Sequence, residues 1–424
     1  MSQITALLVQ RREYREPNLL DEMEALATTA GYTVLGQFDI VSPPSARFGI
    51  RTGKVDEITT WIEVNKPEFV LFSPPLQSSQ IFRLMEQWKI EVRDRTQLIL
   101  EIFDKHARTP QAKLQIEKAR LKYELPFERY QIKIRNPDRP TQDQVGAGED
   151  LLTKKLSEIK RRIAVISTKL AKISNVQRLK KKKRSDEGFI EIAIAGYTNA
   201  GKSTLHKALT GSEVEIADKL FTTLSTKAAQ LPVAGRQIII SDSVGFISDL
   251  PPPLMEAFNT TLMEISDADV LLLVIDGSDE IEEMMRKVFA CLDTFGKIDA
   301  SGIPIVAALN KIDLIEEDEI SLRINYLRDE DMTVVPISAA KEMNLDILVE
   351  TVLDELDPLT VYVVKLPLGN SGMSILSWLH EVGIVETPQY NPDGIEVKVT
   401  LSLDIMQKLS QNDNVDSIEP LLKQ

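Results

Sequence analysis

The sequence predicts an α/β protein in four parts. These are a small N-terminal α/β domain (residues 1–95), a long helical hairpin (96–184), a doubly wound domain (188–357) and a small C-terminal α/β domain (358–424). Three observations predict it. Short strand-like runs alternate with helix-like segments over 1–95 and again from 188 onward. Two long stretches between them carry apolar residues at helical spacing. A glycine turn, Gly196 to Gly201, separates a buried strand pattern from a helix pattern.

Taken in order, Ile4–Val9, Tyr32–Leu35 and Glu68–Phe72 read as strands, with helices at Leu19–Thr29, Val55–Val64 and Gln80–Trp88 between them. Such alternation favours a largely parallel sheet. Gly49-Ile-Arg-Thr-Gly-Lys54 is one residue short of a phosphate loop, and Val55 stands where a hydroxyl is needed, so it is rejected as one. Residues 97–128 and 149–180 read as two long antiparallel helices. Pro110 breaks or kinks the first, and the second repeats Leu152, Leu156, Ile159, Ile163, Ile166, Leu170 and Ile173 with near coiled-coil spacing. Their polar connection, 136–149, is an exposed tip. Phe189–Ala195, Gln237–Ser241, Val270–Ile275, Ile305–Leu309 and Thr333–Ile337 are strands of the doubly wound domain. The last part reads as strand Thr360–Leu366, helix Ser374–Glu381, and strands Val385–Pro388 and Gly394–Leu401. Asn391-Pro-Asp-Gly394 supplies a turn, and a short helix and strand end the chain.

Composition narrows the class. No apolar run reaches the ~18–20 residues that span a bilayer, and Arg11, Arg12 and Arg15 lie where a signal peptide needs an apolar core. A cytoplasmic protein without membrane partners is expected. One cysteine, Cys291, excludes an intrachain disulfide, and three histidines disfavour structural zinc. The net charge of −14 argues against general nucleic-acid affinity, and no DNA partner is expected. Yet residues 154–184 hold 13 Lys/Arg and one acid, Glu158, against 37 basic and 63 acidic residues elsewhere. This basic stretch is either a solvated linker or a contact for RNA phosphate.

Gly196-Tyr197-Thr198-Asn199-Ala200-Gly201-Lys202-Ser203, followed by Thr204, fits the P-loop pattern. Its N–H groups and helix dipole suit phosphate, Lys202 adds a point charge, and Ser203 an oxygen for Mg²⁺. Asn310-Lys311-Ile312-Asp313 narrows the base to guanine: the Asp313 carboxylate accepts from N1–H and the exocyclic amine, and adenine would leave it unpaired. Asp242-Ser-Val-Gly245 fits a D-x-x-G element, with Asp242 toward Mg²⁺ through water and the Gly245 N–H toward the γ-phosphate. Phe221-Thr222-Thr223-Leu224 fits a switch segment, with Thr223 the first choice for Mg²⁺ and γ-phosphate and Thr222 the second. Ser338, Ala339 and Ala340 fit the loop at the other edge of the base. Lys202, Thr223, Gly245 and Phe246 are the expected catalytic set. Phe246 stands where many GTPases orient water with glutamine, so hydrolysis should be slow and need a partner or another residue. Asn199 either joins phosphate oxygens around K⁺ or is chosen for its turn backbone. His206 reads as a packing residue.

These motifs, with Asp242-Ser-Val-Gly-Phe-Ile247-Ser-Asp-Leu-Pro251, Asp94-Arg-Thr-Gln-Leu-Ile-Leu100, Ala107-Arg-Thr109 and Leu121-Lys-Tyr-Glu-Leu-Pro126, resemble the HflX GTPases over residues 1 to about 400. The resemblance implies a Ras-like P-loop G domain that binds the large ribosomal subunit near its peptidyl-transferase region and helps split or rescue stalled ribosomes. It implies GTP hydrolysed to GDP and a hydrophobic replacement for the catalytic glutamine; on a ribosomal reading the basic stretch 154–184 would be the part that touches rRNA. A monomer is expected. The chain departs from the pattern at the hairpin tip, where only Gln144-Val-Gly-Ala-Gly-Glu149 remains of a long glycine-rich loop, and at Arg51 and His206. A reading of another class is a GTP-gated switch that docks a protein partner through its helical hairpin. Salt sensitivity separates the two.

Overall fold

The computed structural model describes residues 4–107, 109–135, 147–211, 227–242, 245–246, 255, 265–330 and 332–421. The chain forms two compact units, one built mainly from residues before 174 and the other mainly from those after it.

In the first unit, β1 (Ile4–Arg12), β2 (Tyr32–Val41), β3 (Phe69–Ser73) and β4 (Glu91–Asp94) form a parallel sheet in the order β2-β1-β3-β4. Helices α1 (Leu20–Ala30), α2 (Thr52–Asn65) and α3 (Ser78–Trp88) are the crossovers. Ala6, Leu7, Leu8 and Val9 of β1 are all fully buried, as expected of a parallel strand covered on both faces. Helix α1 buries Met23, Leu26, Ala27 and Ala30, one stripe at helical spacing, and ends at Gly31 in the left-handed region. Strand β4 is absent from the expected set because Glu-Val-Arg-Asp is short and mostly polar.

The first long helix is two helices. Asp94 caps α4 (Arg95–His106) by accepting from the Gln97 N–H, and α5 (Pro110–Arg135) begins at Pro110, where a missing N–H costs nothing. Helix α5 then continues through Pro126, past the expected end at 128. Helix α6 (Ala147–Asp186) is longer than expected at both ends. Arg162 grips Glu117 with two bonds of 2.6 and 3.0 Å, and Lys155 meets Glu128 at 2.5 Å. Those pairs fix an antiparallel register, with Ile116, Ala119, Ile159 and Ile166 buried.

The second unit holds a six-stranded sheet ordered β10-β9-β8-β5-β7-β6. Its strands are β5 (Phe189–Gly196), β6 (Lys227–Val233), β7 (Arg236–Asp242), β8 (Val270–Asp276), β9 (Ile305–Asn310) and β10 (Thr333–Pro336). Only the hairpin strand β6, absent from the expected set, is antiparallel. Helices α7 (Lys202–Thr210), α8 (Ile281–Lys297), α9 (Glu317–Arg328) and α10 (Leu345–Asp354) accompany the sheet. The central strand β5 pairs with β7 and β8, which places its carboxyl end at the middle of the sheet.

Beyond it, β11 (Thr360–Leu366), α11 (Asn370–Val382), β12 (Ile384–Val385), β13 (Gln389–Asn391), β14 (Gly394–Leu401), α12 (Leu403–Ser410) and β15 (Ser417–Pro420) form a smaller antiparallel sheet with helices. The order β12-β14-β11-β15 is that of a split β-α-β arrangement. Of the expected strand 385–388 only Val385 lies in a strand, β12, and β13 begins just after that range. Tyr362, Val364, Leu366, Val397 and Val399 alternate inward against Ile375, Leu379, Ile405 and Leu409.

Candidate functional site

The chain leaves β5 through Gly196 (φ 147°), Asn199 (φ 65°) and Gly201 (φ 98°). A β-carbon at Gly196 would stand 2.3 Å from the Val274 carbonyl, and one at Gly201 2.2 Å from the Asn310 amide nitrogen. Both glycines are therefore set by close approach as well as by backbone angle. Asn199 adopts the left-handed region that Asn tolerates better than most residues.

Lys202 opens α7 and is nearly buried; its Nζ donates to the Tyr197 carbonyl at 2.7 Å. Burial pushes its amine below the ordinary 10.5, and neighbouring Asp242 opposes that shift. Next to it, Ser203 Oγ lies 2.8 Å from Oδ2 of Asp242, the fully buried last residue of β7. A hydroxyl and a carboxylate converging beside the loop are hard oxygen donors of the kind Mg²⁺ prefers, so these residues fit the ion. Thr222 and Thr223 lie outside the described residues.

The D-x-x-G end is joined to the loop. Phe246 N donates to the Gly196 carbonyl at 3.0 Å, and Thr198 N donates to the Phe246 carbonyl at 2.8 Å. Gly245 fits so closely that a β-carbon would meet Thr198 Cγ2 at 2.9 Å and Lys202 Nζ at 3.0 Å. The Phe246 ring is 2% exposed and packs edge-on against Phe295, centroids 5.6 Å apart. It is an interior residue, anchoring the strand-like contact.

At the other end, Asn310 braces loops. Its Nδ2 donates to the Ala200 carbonyl at 2.8 Å, and its Oδ1 accepts from Ala339 N at 2.9 Å. Lys311 (φ 66°) pairs with Asp276 at 2.5 Å. Exposed Asp313 accepts from Ser338 Oγ at 2.6 Å, and buried Ser338 is itself bonded by Lys341 N at 3.2 Å. Ala339 is buried and Ala340 exposed. Thus the carboxylate, its orienting serine and the cross-brace come together although 25 residues or more separate Asn310 from Ala339.

The support beneath Tyr197 has no signal in the sequence. Arg286 and Lys287 of α8 lie 5.6 and 5.5 Å from its ring centroid, and Asp279 holds Lys287 at 2.7 Å. Nothing in a linear pattern links residues so far apart. The basic stretch also differs from expectation in part. Lys181 bonds the Asp267 carbonyl at 2.6 Å and lies 3.4 Å from Glu191, which Arg184 meets at 2.8 Å. Lys160, Arg161, Lys169, Lys172, Arg178, Lys180 and Lys182 are exposed. Among the described residues no helix is long and apolar enough to cross a membrane.

Three family models match consecutive stretches: "GTP-binding GTPase N-terminal" over 18–104, "GTP-binding GTPase Middle Region" over 106–184 and "50S ribosome-binding GTPase" over 191–311. GTPase HflX of Thermococcus kodakarensis is 39% identical over 370 residues, 85% of this chain and 81% of the relative. GTPase HflX of Caldanaerobacter subterraneus is 35% identical over 401 residues, 92% and 89% respectively. A GTP-binding protein from Sulfolobus solfataricus, solved in complex with GDP, is 28% identical across 83% of this chain and 98% of that one, with a TM-score of 0.44. On the sequence matches, which run from the N-terminal sheet through the nucleotide domain, the chain belongs to the HflX family of GTPases.

Proposed function

We propose that this GTPase binds the large ribosomal subunit in its GTP state, hydrolyses GTP to GDP and then leaves, acting in ribosome splitting or rescue in the cytoplasm as a monomer. The exposed cations along α6, on an otherwise acidic chain, carry this reading, with rRNA phosphate as their partner. The match to a model described as a 50S ribosome-binding GTPase supports it. Lys155, Arg162, Lys181 and Arg184 have acidic partners within the chain, so the RNA-facing set is narrower than the whole basic stretch.

In the nucleotide site, main-chain N–H groups of residues 196–204 and the Lys202 amine would hold the phosphates, Gly245 N–H would meet the γ-phosphate, and Asp313 with Ser338–Ala340 the guanine. Asn310 and Lys311 would act by fixing loops. Ser203, Asp242 and Thr223 would hold Mg²⁺, which supplies charge neutralisation at the β- and γ-phosphates. Asn199 would contribute an oxygen toward K⁺. With the Phe246 ring interior, water is oriented by another group or by the ribosome. The proposed working parts are the N-terminal domain 1–95, the hairpin 96–184, the G domain 188–357 and the C-terminal domain 358–424.

Sucrose-gradient cosedimentation with ribosomes and separated subunits, under GTP, GDP and a non-hydrolysable analogue at two KCl concentrations, tests this. Comigration with the large subunit only in the GTP state, weakened by salt, is expected. Absence of comigration in every state sinks the ribosomal reading. It would leave a GTP-gated switch that docks a protein partner through the hairpin.

A further inference from the structure

The first unit contains a cavity of about 500 Å³, well away in sequence from every nucleotide motif. Its volume lies in the range of small-molecule sites. Three kinds of wall enclose it. Leu76 from the segment before α3, and Ile81 and Met85 of α3, join Val92, Pro126 and Phe127 to give an apolar body. Strand β4 is the last strand of its sheet and contributes Glu91 and Val92, so its outer main-chain groups have no strand partner among the described residues. Polar groups converge at one end. Tyr123 lines the wall while its hydroxyl donates to buried Asp94 at 2.6 Å, and Gln97 lines it with its side-chain oxygen accepting from Asp94 N at 3.2 Å. That bond engages the amide oxygen and leaves the amide N–H groups as donors.

Charge decides the ligand class. The charged residues of the wall are Glu91, Glu124 and Lys122, and Asp94 stands directly behind Tyr123. Glu91 is balanced by Arg93 at 2.7 Å, whereas burial pushes the Glu124 carboxyl up. Of the lining side chains two are carboxylates and one, Lys122, is a cation, so an anion would meet more negative than positive charge, and no glycine lines the cavity to offer it N–H groups as a phosphate loop does. Phosphates are therefore poor occupants, which separates this cavity from the nucleotide site in chemistry as well as place. We propose that the cavity between α3, β4 and α5 binds a small, uncharged, mostly apolar molecule carrying a carbonyl-type acceptor, its apolar body among Leu76, Ile81, Met85 and Phe127 and its acceptor toward Gln97.

Prodan, a neutral naphthalene ketone whose emission moves to the blue in apolar surroundings, is a suitable probe for titration into the full chain. Saturable binding at one site per chain is expected, unaffected by ATP, GTP or GDP. Met85→Trp and Ser78→Trp, at partly exposed wall positions, should each weaken it roughly tenfold or more by filling space, with GTP hydrolysis unchanged and with circular dichroism and thermal unfolding of the full chain as the folding control. If one variant misfolds, the other decides. Binding that never saturates overturns the proposal, as does binding equally tight in the folded filled variants. Displacement by ATP would overturn the assignment to an uncharged ligand.

Discussion

Replacing Asn310 tests whether this residue serves the nucleotide by bracing two loops. Its side chain satisfies the Ala200 carbonyl in the phosphate loop and the Ala339 N–H in the base loop, at 2.8 and 2.9 Å in a 3%-exposed position. Asn310→Ala strands both groups. A buried main-chain group left unpaired costs roughly 1–3 kcal/mol, so the pair amounts to about 2–6 kcal/mol. Water can reach a loosened loop, which favours the lower figure. At about 1.4 kcal/mol per decade, GDP affinity should fall roughly 30-fold. Asn310→Asp retains an acceptor for Ala339 N but sets a carboxylate oxygen against the Ala200 carbonyl, so its loss should be no smaller. Titration with a fluorescent GDP analogue reads the affinity, and thermal unfolding without nucleotide confirms that each variant folds. Affinities within about threefold of wild type in both variants would refute the bracing argument, because that is far below one lost buried bond.

Further expectations concern the charges and the interior ring. The Lys202 amine lies below 10.5 through burial, so between its depressed value and 10.5 the folded, nucleotide-free protein holds fewer protons than the unfolded chain. Its stability contribution therefore rises with pH through that window. Bound phosphates reverse the shift, so GDP binding should take up protons there and weaken as pH rises; calorimetry in two buffers of unequal ionisation enthalpy would show zero uptake if this is wrong. Phe246→Gln should lower stability by roughly 3 kcal/mol or more, since an amide replaces a buried ring against Phe295, without accelerating hydrolysis. Faster turnover in that variant would place the side chain in the reaction after all. Joint replacement of exposed Arg178, Lys180 and Lys182 by Ser should reduce the salt slope of ribosome binding by up to about 0.7–0.9 per lost phosphate contact. An unchanged slope would point to other residues as the contact.

Legibility followed range in sequence. Strands β11 and β14 appear at their expected bounds because alternation from Thr360 to Leu366 and from Gly394 to Leu401 is a local signal. The glycine turn was legible for the same reason: Gly196 to Ser203 is contiguous. Strand β4 was not, since four residues with one apolar side chain become a strand only through pairing with β3. Strand β6 was likewise hidden, its Pro232 arguing against a strand until an edge position beside β7 makes it tolerable. Pro110 marked a break but not whether the helix would bend or end; capping at Asp94 and the start of α5 resolved that.

The sequence by itself determined the order of most elements, the phosphate-loop pattern, the guanine-type motif and the concentration of positive charge on α6. Each is written in residues close enough to share one element. Only the tertiary structure decided that Asn310 holds two loops, that Tyr197 rests under Arg286 and Lys287, and that the Phe246 ring is interior. It also decided that Lys181 and Arg184 spend charge on Glu191. The physical reason is common to all of them: hydrogen bonds, ion pairs and ring packing depend on ångström distances between elements. A linear pattern specifies which groups are available, while the packed sheet specifies which of them meet.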